Sequence, residues 1–123
     1  MKANVPANGK SGDGRTKKPI EVPKNGGSIV GIYCHIVQEI PTKINPRTFE
    51  GGLKLSVLKK ERKKSIKVLK DINVGIITRM PTRSYRLEEP MVIEKNCEYF
   101  VLLENSSHFH LTLDIVLTMV SSE

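Results

Sequence analysis

From Ser28 onward the chain is a succession of short, β-branched apolar runs separated by turn residues about every ten positions. That period-two patterning constrains the fold more than any other feature, because alternate residues of a strand face opposite sides of a sheet. The strongest run comes last. Over 108–120, Phe109, Leu111, Leu113, Ile115, Leu117 and Met119 share one face, opposite His108, His110, Thr112, Asp114, Val116, Thr118 and Val120. The run 29–40 places Val30, Ile32, Cys34, Ile36 and Ile40 together and then meets Pro41, which ends a strand. A loop is expected through 43–52. Further strands are predicted at 74–80, 82–87, 90–93 and 98–104, with breaks at Pro81, Glu88-Glu89-Pro90 and Lys95-Asn96.

Between them, Leu53, Leu55 and Val57 alternate with Lys54 and Ser56, and Ile66 and Val68 flank Lys67 beyond the run Lys59-Lys60-Glu61-Arg62-Lys63-Lys64. This reads as a hairpin with a basic tip. Leu55, Leu58, Arg62, Ile66 and Leu69 also fall near a 3.6 period, so a basic amphipathic helix is the competing reading. Counting the hairpin as two gives about eight strands in the 96 residues from Ser28 to the end. The fold class is therefore all-β, an antiparallel two-sheet sandwich of jelly-roll or immunoglobulin-like arrangement.

Charge divides the chain further. Residues 1–27 hold six basic side chains against Asp13 and Glu21, with five glycines, three prolines and few large apolar residues. Such a segment buries little surface to offset its ordering entropy, so it reads as a disordered basic arm ahead of a domain at 28–123. The block 54–70 holds eight basic residues and only Glu61. Since the whole chain is +7, the remainder is net acidic. An arm and a ridge of this kind suit a polyanion, whose neutralised phosphates release counterions. An anionic membrane surface satisfies the same electrostatics. No apolar run approaches the roughly 18 to 20 residues of a membrane span, and no secretion signal is visible.

Catalytic and metal chemistry is poorly supplied. His108 and His110 with Asp114 could project to one face of a strand, with His35 as a further imidazole, but the glycines and second motif of the cupin metal pattern are missing. A solvent-facing pair is the plainer reading. Cys34 falls on an apolar face, where a small buried thiol is the usual explanation, and Cys97 lies in a charged turn with no obvious His partner; both are expected as reduced thiols. Asn105-Ser106-Ser107 reads as the polar turn before the last strand. No catalytic residue, metal or cofactor is assigned, and the chain is expected not to be an enzyme.

A basic, Gly- and Pro-containing N-terminal segment leading into a β-sandwich, closed by Val92 to Ser107 and a long alternating strand, resembles the plan of small viral and phage jelly-roll capsid or coat proteins. The closing stretch covers about a quarter of the chain. The resemblance implies a shell, vertex or matrix-type component of a virion or host cytoplasm, which assembles with copies of itself. It implies polyanion contacts through Lys2, Lys10, Arg15, Lys17 and Lys18, with Lys59, Lys60, Arg62, Lys63 and Lys64 as a second patch. The alternative is a stand-alone β-barrel that binds nucleic acid without sequence preference. No small-molecule substrate is expected.

Overall fold

The computed structural model describes residues 1–9, 12–37, 52–107 and 110–122. In chain order they form β1 (Lys2–Val5), β2 (Asn8–Gly9), β3 (Gly12–Asp13), β4 (Arg15–Pro19), β5 (Gly27–Ile36), β6 (Leu53–Glu61), β7 (Lys64–Asn73), one short helix α1 (Val74–Arg79), β8 (Ser84–Ile93), β9 (Tyr99–Asn105) and β10 (Leu111–Ser121). Two four-stranded antiparallel sheets result, ordered β1-β10-β5-β8 and β4-β9-β6-β7, beside a small β2-β3 ladder. Between the sheets lies one core, including Ile29, Ile32, Cys34, Leu53, Leu55, Val57, Val101, Leu103, Leu111, Leu113 and Ile115. The alternation over 111–115 is realised as read, with Leu111, Leu113 and Ile115 buried and Thr112 and Asp114 turned outward.

Strand pairing follows one rule. Among the eight strands of the large sheets, the first pairs with the eighth (β1 with β10), the second with the seventh (β4 with β9), the third with the sixth (β5 with β8) and the fourth with the fifth (β6 with β7). This is a single long antiparallel ribbon folded over on itself, and the contacts of β10 with β5 and β9 with β6 weld it into two sheets. The competition over 53–70 is resolved as a hairpin, with Glu61 paired to Lys64 around a tip at Arg62 and Lys63.

Four expectations are corrected. The segment expected to be a disordered arm is paired: β1 lies along β10 and β4 along β9, one at an edge of each sheet. Its apolar residues are few but well placed, since Ala3 and Val5 alternate inward and Ile20 follows β4, all buried. The expected strand at 74–80 is α1 instead. Asn73 caps it by accepting from the Gly75 amide at 2.8 Å, Thr78 donates to the Gly75 carbonyl, and Val74 and Ile77 bury three positions apart while Ile76 stays exposed. The helix plugs one side of the sandwich against β5, β6 and β8. The two strands expected at 82–87 and 90–93 are one strand, β8, interrupted by an irregularity. Finally, Val30 does not share the inward face of β5. Opposite β10, Gly31 pairs with Thr118 and Ile29 with Met119, so Val30 is an extra, bulged residue of β5; Ile29 and Ile32 both point inward while Val30 is half-exposed.

The number of long strands thus agrees with the reading while its membership does not, β1 and β4 standing in for the helix and for the split of β8. The turn before β5 is as read: Gly26 donates to the Pro23 carbonyl at a φ of +75°, where a Cβ would approach the Ile93 carbonyl oxygen to 2.6 Å. The turn at 43–52 lies largely outside the described residues.

The N-terminal strands are fastened by Asn105, which is 2% exposed. Its Nδ2 donates to the Pro6 carbonyl at 3.2 Å, its amide donates to the Gly14 carbonyl, and its Oδ1 accepts from the Ser107 amide and hydroxyl at 2.9 and 2.6 Å. Asn105→Ala leaves those partners unmatched, so a loss of about 1–3 kcal/mol in denaturant unfolding is expected. An unchanged midpoint would show the network to be dispensable.

Candidate polyanion-binding surface

The hairpin of β6 and β7 outruns the sheet that supports it. Neighbouring β9 pairs with β6 as far as Lys59 opposite Tyr99, and one further bond runs from the Lys60 amide to the Glu98 carbonyl at 2.9 Å. Residues 61–64 project beyond. At the tip Arg62 adopts a φ of +54°, a left-handed conformation that costs an L-residue with a Cβ roughly 1–2 kcal/mol.

The base of the projection is braced. Lys59 turns toward the other sheet, its side chain only 17% exposed, with Nζ 2.7 Å from Glu94 and 3.6 Å from Glu61, while Lys60 pairs with Glu98 at 3.3 Å. The Tyr99 hydroxyl accepts from the Glu94 amide at 3.0 Å, so the turn after β8 is tied to the hairpin at several points. The hydrogen bond that Lys59 donates to Glu94 holds the Glu94 carboxyl below the ordinary carboxylate range and raises the Lys59 ammonium. A lowered carboxyl contributes at neutral pH and loses its contribution as the pH falls through the lowered value. Arg62, Lys63 and Lys64, by contrast, make no ion pair among the described residues. They line, with Lys59, Lys60, Ile66 and Cys97, an open groove of about 860 Å³ whose single carboxylate is Glu61.

The ten cations expected to contact a polyanion do not form one surface. Arg15 and Lys17 lie on the outer face of the second sheet, Arg15 at 3.6 Å from Glu104 and Lys17 Nζ 4.7 Å from the Phe100 ring centroid. Lys54 stands in register with Glu104, and Lys67 reaches both Asp71 at 3.0 Å and Glu104 at 3.4 Å. The acidic side chains there absorb much of the local positive charge. Lys18 lies opposite Val101, half-buried on the face turned inward. Lys2 is exposed on the other sheet, opposite Asp114. Lys10 lies outside the described residues. Lys54, Lys67 and Phe100 were absent from the expected set. Alternation with Leu53 and Leu55 signals that Lys54 faces away from the core, but its position beside Arg15 depends on β9 lying between their strands.

The other candidates separate in the same way. His108 lies outside the described residues, His110 accepts at Nδ1 from the Ala7 amide at 3.3 Å, and His35 stands opposite Asp114 on the outer face of the first sheet. Among the described residues no group of three His, Cys, Asp or Glu side chains is arranged to hold a metal ion. Cys34 is buried, and burial pushes its thiol up to about 12, whereas Cys97 is partly exposed with Sγ 3.6 Å from Glu94. One thiol per native chain is therefore expected to react rapidly with a thiol-specific chromogenic reagent, and the second only on unfolding. Rapid reaction of both would contradict the burial of Cys34. Among the described residues no helix is long and apolar enough to cross a membrane. Comparison with known protein families, with curated proteins and with solved structures finds no match to this chain.

Proposed function

We propose that the protein is a non-enzymatic structural component, a jelly-roll β-sandwich that associates with copies of itself and holds nucleic acid or another polyanion at its basic hairpin. The observation that carries this reading is the projecting tip, where Arg62, Lys63 and Lys64 lack ion pairs among the described residues while the lysines beneath them are braced by Glu94 and Glu98. A left-handed Arg at the tip supports it, because Gly or Asn fits that backbone at lower cost and carries no cation. Pairing of first with eighth, second with seventh, third with sixth and fourth with fifth strand is the order in which a ribbon rolls into a jelly roll, an architecture shared by viral capsid and lectin domains. That order favours the shell, vertex or matrix reading over a stand-alone barrel, although Lys2, Arg15, Lys17 and Lys18 stand on strands and not on a free arm.

Binding through three phosphate contacts has a definite salt signature. The logarithm of the affinity for a DNA duplex should fall with the logarithm of salt at a slope of about −2.7, roughly a 40-fold loss between 50 and 200 mM. Fluorescence anisotropy with a labelled duplex measures it, and single strands and anionic vesicles run in parallel identify the preferred polyanion. Failure to bind any of them at low salt would sink the reading.

A further inference from the structure

The basic groove has a complementary surface elsewhere on the same chain. Within β8, Arg86 pairs with Gly31 and Met91 with Ile29, so residues 87–90 stand opposite the single residue Val30. Leu87 anchors this excursion by burying its side chain, and Glu88, Glu89 and Pro90 are exposed at the free edge of the first sheet. Neither glutamate makes an ion pair among the described residues. Pro90 lacks an amide donor and the excursion breaks the ladder, which blocks addition of another strand at this point. What the edge offers a partner is a short protruding pair of carboxylates.

We infer that, in the absence of polyanion, the groove at Arg62, Lys63 and Lys64 receives the Glu88-Glu89 protrusion of a second copy of this chain, and that a polyanion displaces it. The inference rests on the proposed polyanion reading for the displacement and on charge complementarity for the contact. Copies carrying +7 each repel one another, so a stable contact needs a local match of opposite sign. Groove and protrusion are different patches, so the contact is head-to-tail and generates rings or open chains instead of a closed two-fold dimer. Phosphates and these carboxylates compete for the same three cations, which makes self-association and polyanion binding alternatives at this site.

Sedimentation of the full chain at low salt tests this with two exposed charge reversals. Glu88→Lys/Glu89→Lys keeps a basic groove but presents a basic protrusion, and Lys63→Glu/Lys64→Glu keeps the acidic protrusion but weakens the groove. Each alone should associate at least tenfold more weakly than the wild-type chain, and an equimolar mixture should regain association, because each variant's groove then meets a protrusion of opposite sign. Circular dichroism checks that both remain folded. Adding DNA duplex to the wild-type chain should lower its sedimenting mass per protein assembly as the protrusion is displaced. A monomeric wild-type chain, or variants that each associate as the wild type does, overturns the contact whatever the duplex does. If instead the reversals and their mixture behave as stated but Glu88→Lys/Glu89→Lys binds no polyanion, the polyanion reading fails and the contact between copies stands.

Discussion

Deletion of residues 1–20 is expected to abolish cooperative folding of the remaining chain. Deletion of a disordered arm would leave the thermal midpoint unchanged, so this outcome separates the two descriptions of the N-terminus cleanly. The deleted segment contains β1 and β4, whose loss leaves β10 and β9 as open edges in both sheets. It also contains Ala3, Val5, Ala7 and Ile20, all buried, and the amino terminus, which donates to the Ile115 carbonyl at 2.6 Å. Burying a Val or Ile side chain contributes about 1.5–3 kcal/mol and each further buried carbon roughly 0.8. Together these amount to about 5–8 kcal/mol, comparable to the whole stability of a domain at the low end of the usual range of about 5–15 kcal/mol. Far-UV circular dichroism through a thermal ramp is the measurement. A truncated chain that melts cooperatively at the wild-type temperature would show that the edge strands are accessory. Val5→Asp, which places a carboxyl at a site 1% exposed, should reproduce a large part of the loss without shortening the chain.

The second large effect concerns binding. Arg62→Ala/Lys63→Ala/Lys64→Ala removes three adjacent cations of the tip, none of them ion-paired among the described residues, and leaves the braced pairs of Lys59 and Lys60 in place. The salt slope for duplex DNA should then fall by about 2.7, with affinity at low salt reduced by orders of magnitude. The same substitutions should change stability little, since all three side chains are exposed. Replacing Arg15 and Lys17 instead is expected to matter less for binding, because Arg15 is paired with Glu104 and Lys17 lies against Phe100. An unchanged slope in the triple variant, with Arg15→Ala/Lys17→Ala abolishing binding, would move the interface to the outer face of the second sheet.

Much of the architecture was legible in the residues. The inward alternation of Leu111, Leu113 and Ile115, the hairpin around Arg62 and the turn at Gly26 are local patterns that fold as they read, although the alternation within β6 breaks where Ser56 and Leu58 are buried beside Leu55 and Val57. The helix at Val74–Arg79 was hidden because Val74, Ile76 and Thr78 mimic a strand, while its stability comes from the Asn73 cap and from burial of Val74 and Ile77. The arm was misread for a related reason. Average composition predicted disorder for 1–27, yet strands at sheet edges need only a few apolar side chains, provided that a neighbouring strand supplies their hydrogen bonds.

The charge was visible as a count and became a site only through pairing. Fourteen basic residues stand in two stretches of sequence, but which of them remain available depends on the neighbours that the fold brings across the sheets. Glu104 meets Arg15 and Lys67, Glu94 meets Lys59, and Glu98 meets Lys60. Every one of those partners is more than thirty residues distant in the chain. Sequence by itself therefore determined that this chain forms β-sheets around an alternating core with a basic hairpin, because strand faces and turns are written in neighbouring residues. Only the tertiary structure decided that the N-terminus completes both sheets and that Arg62, Lys63 and Lys64, with no ion pair among the described residues, crown a hairpin whose base is braced by Glu94 and Glu98, because pairing across a sheet joins residues that the chain keeps far apart.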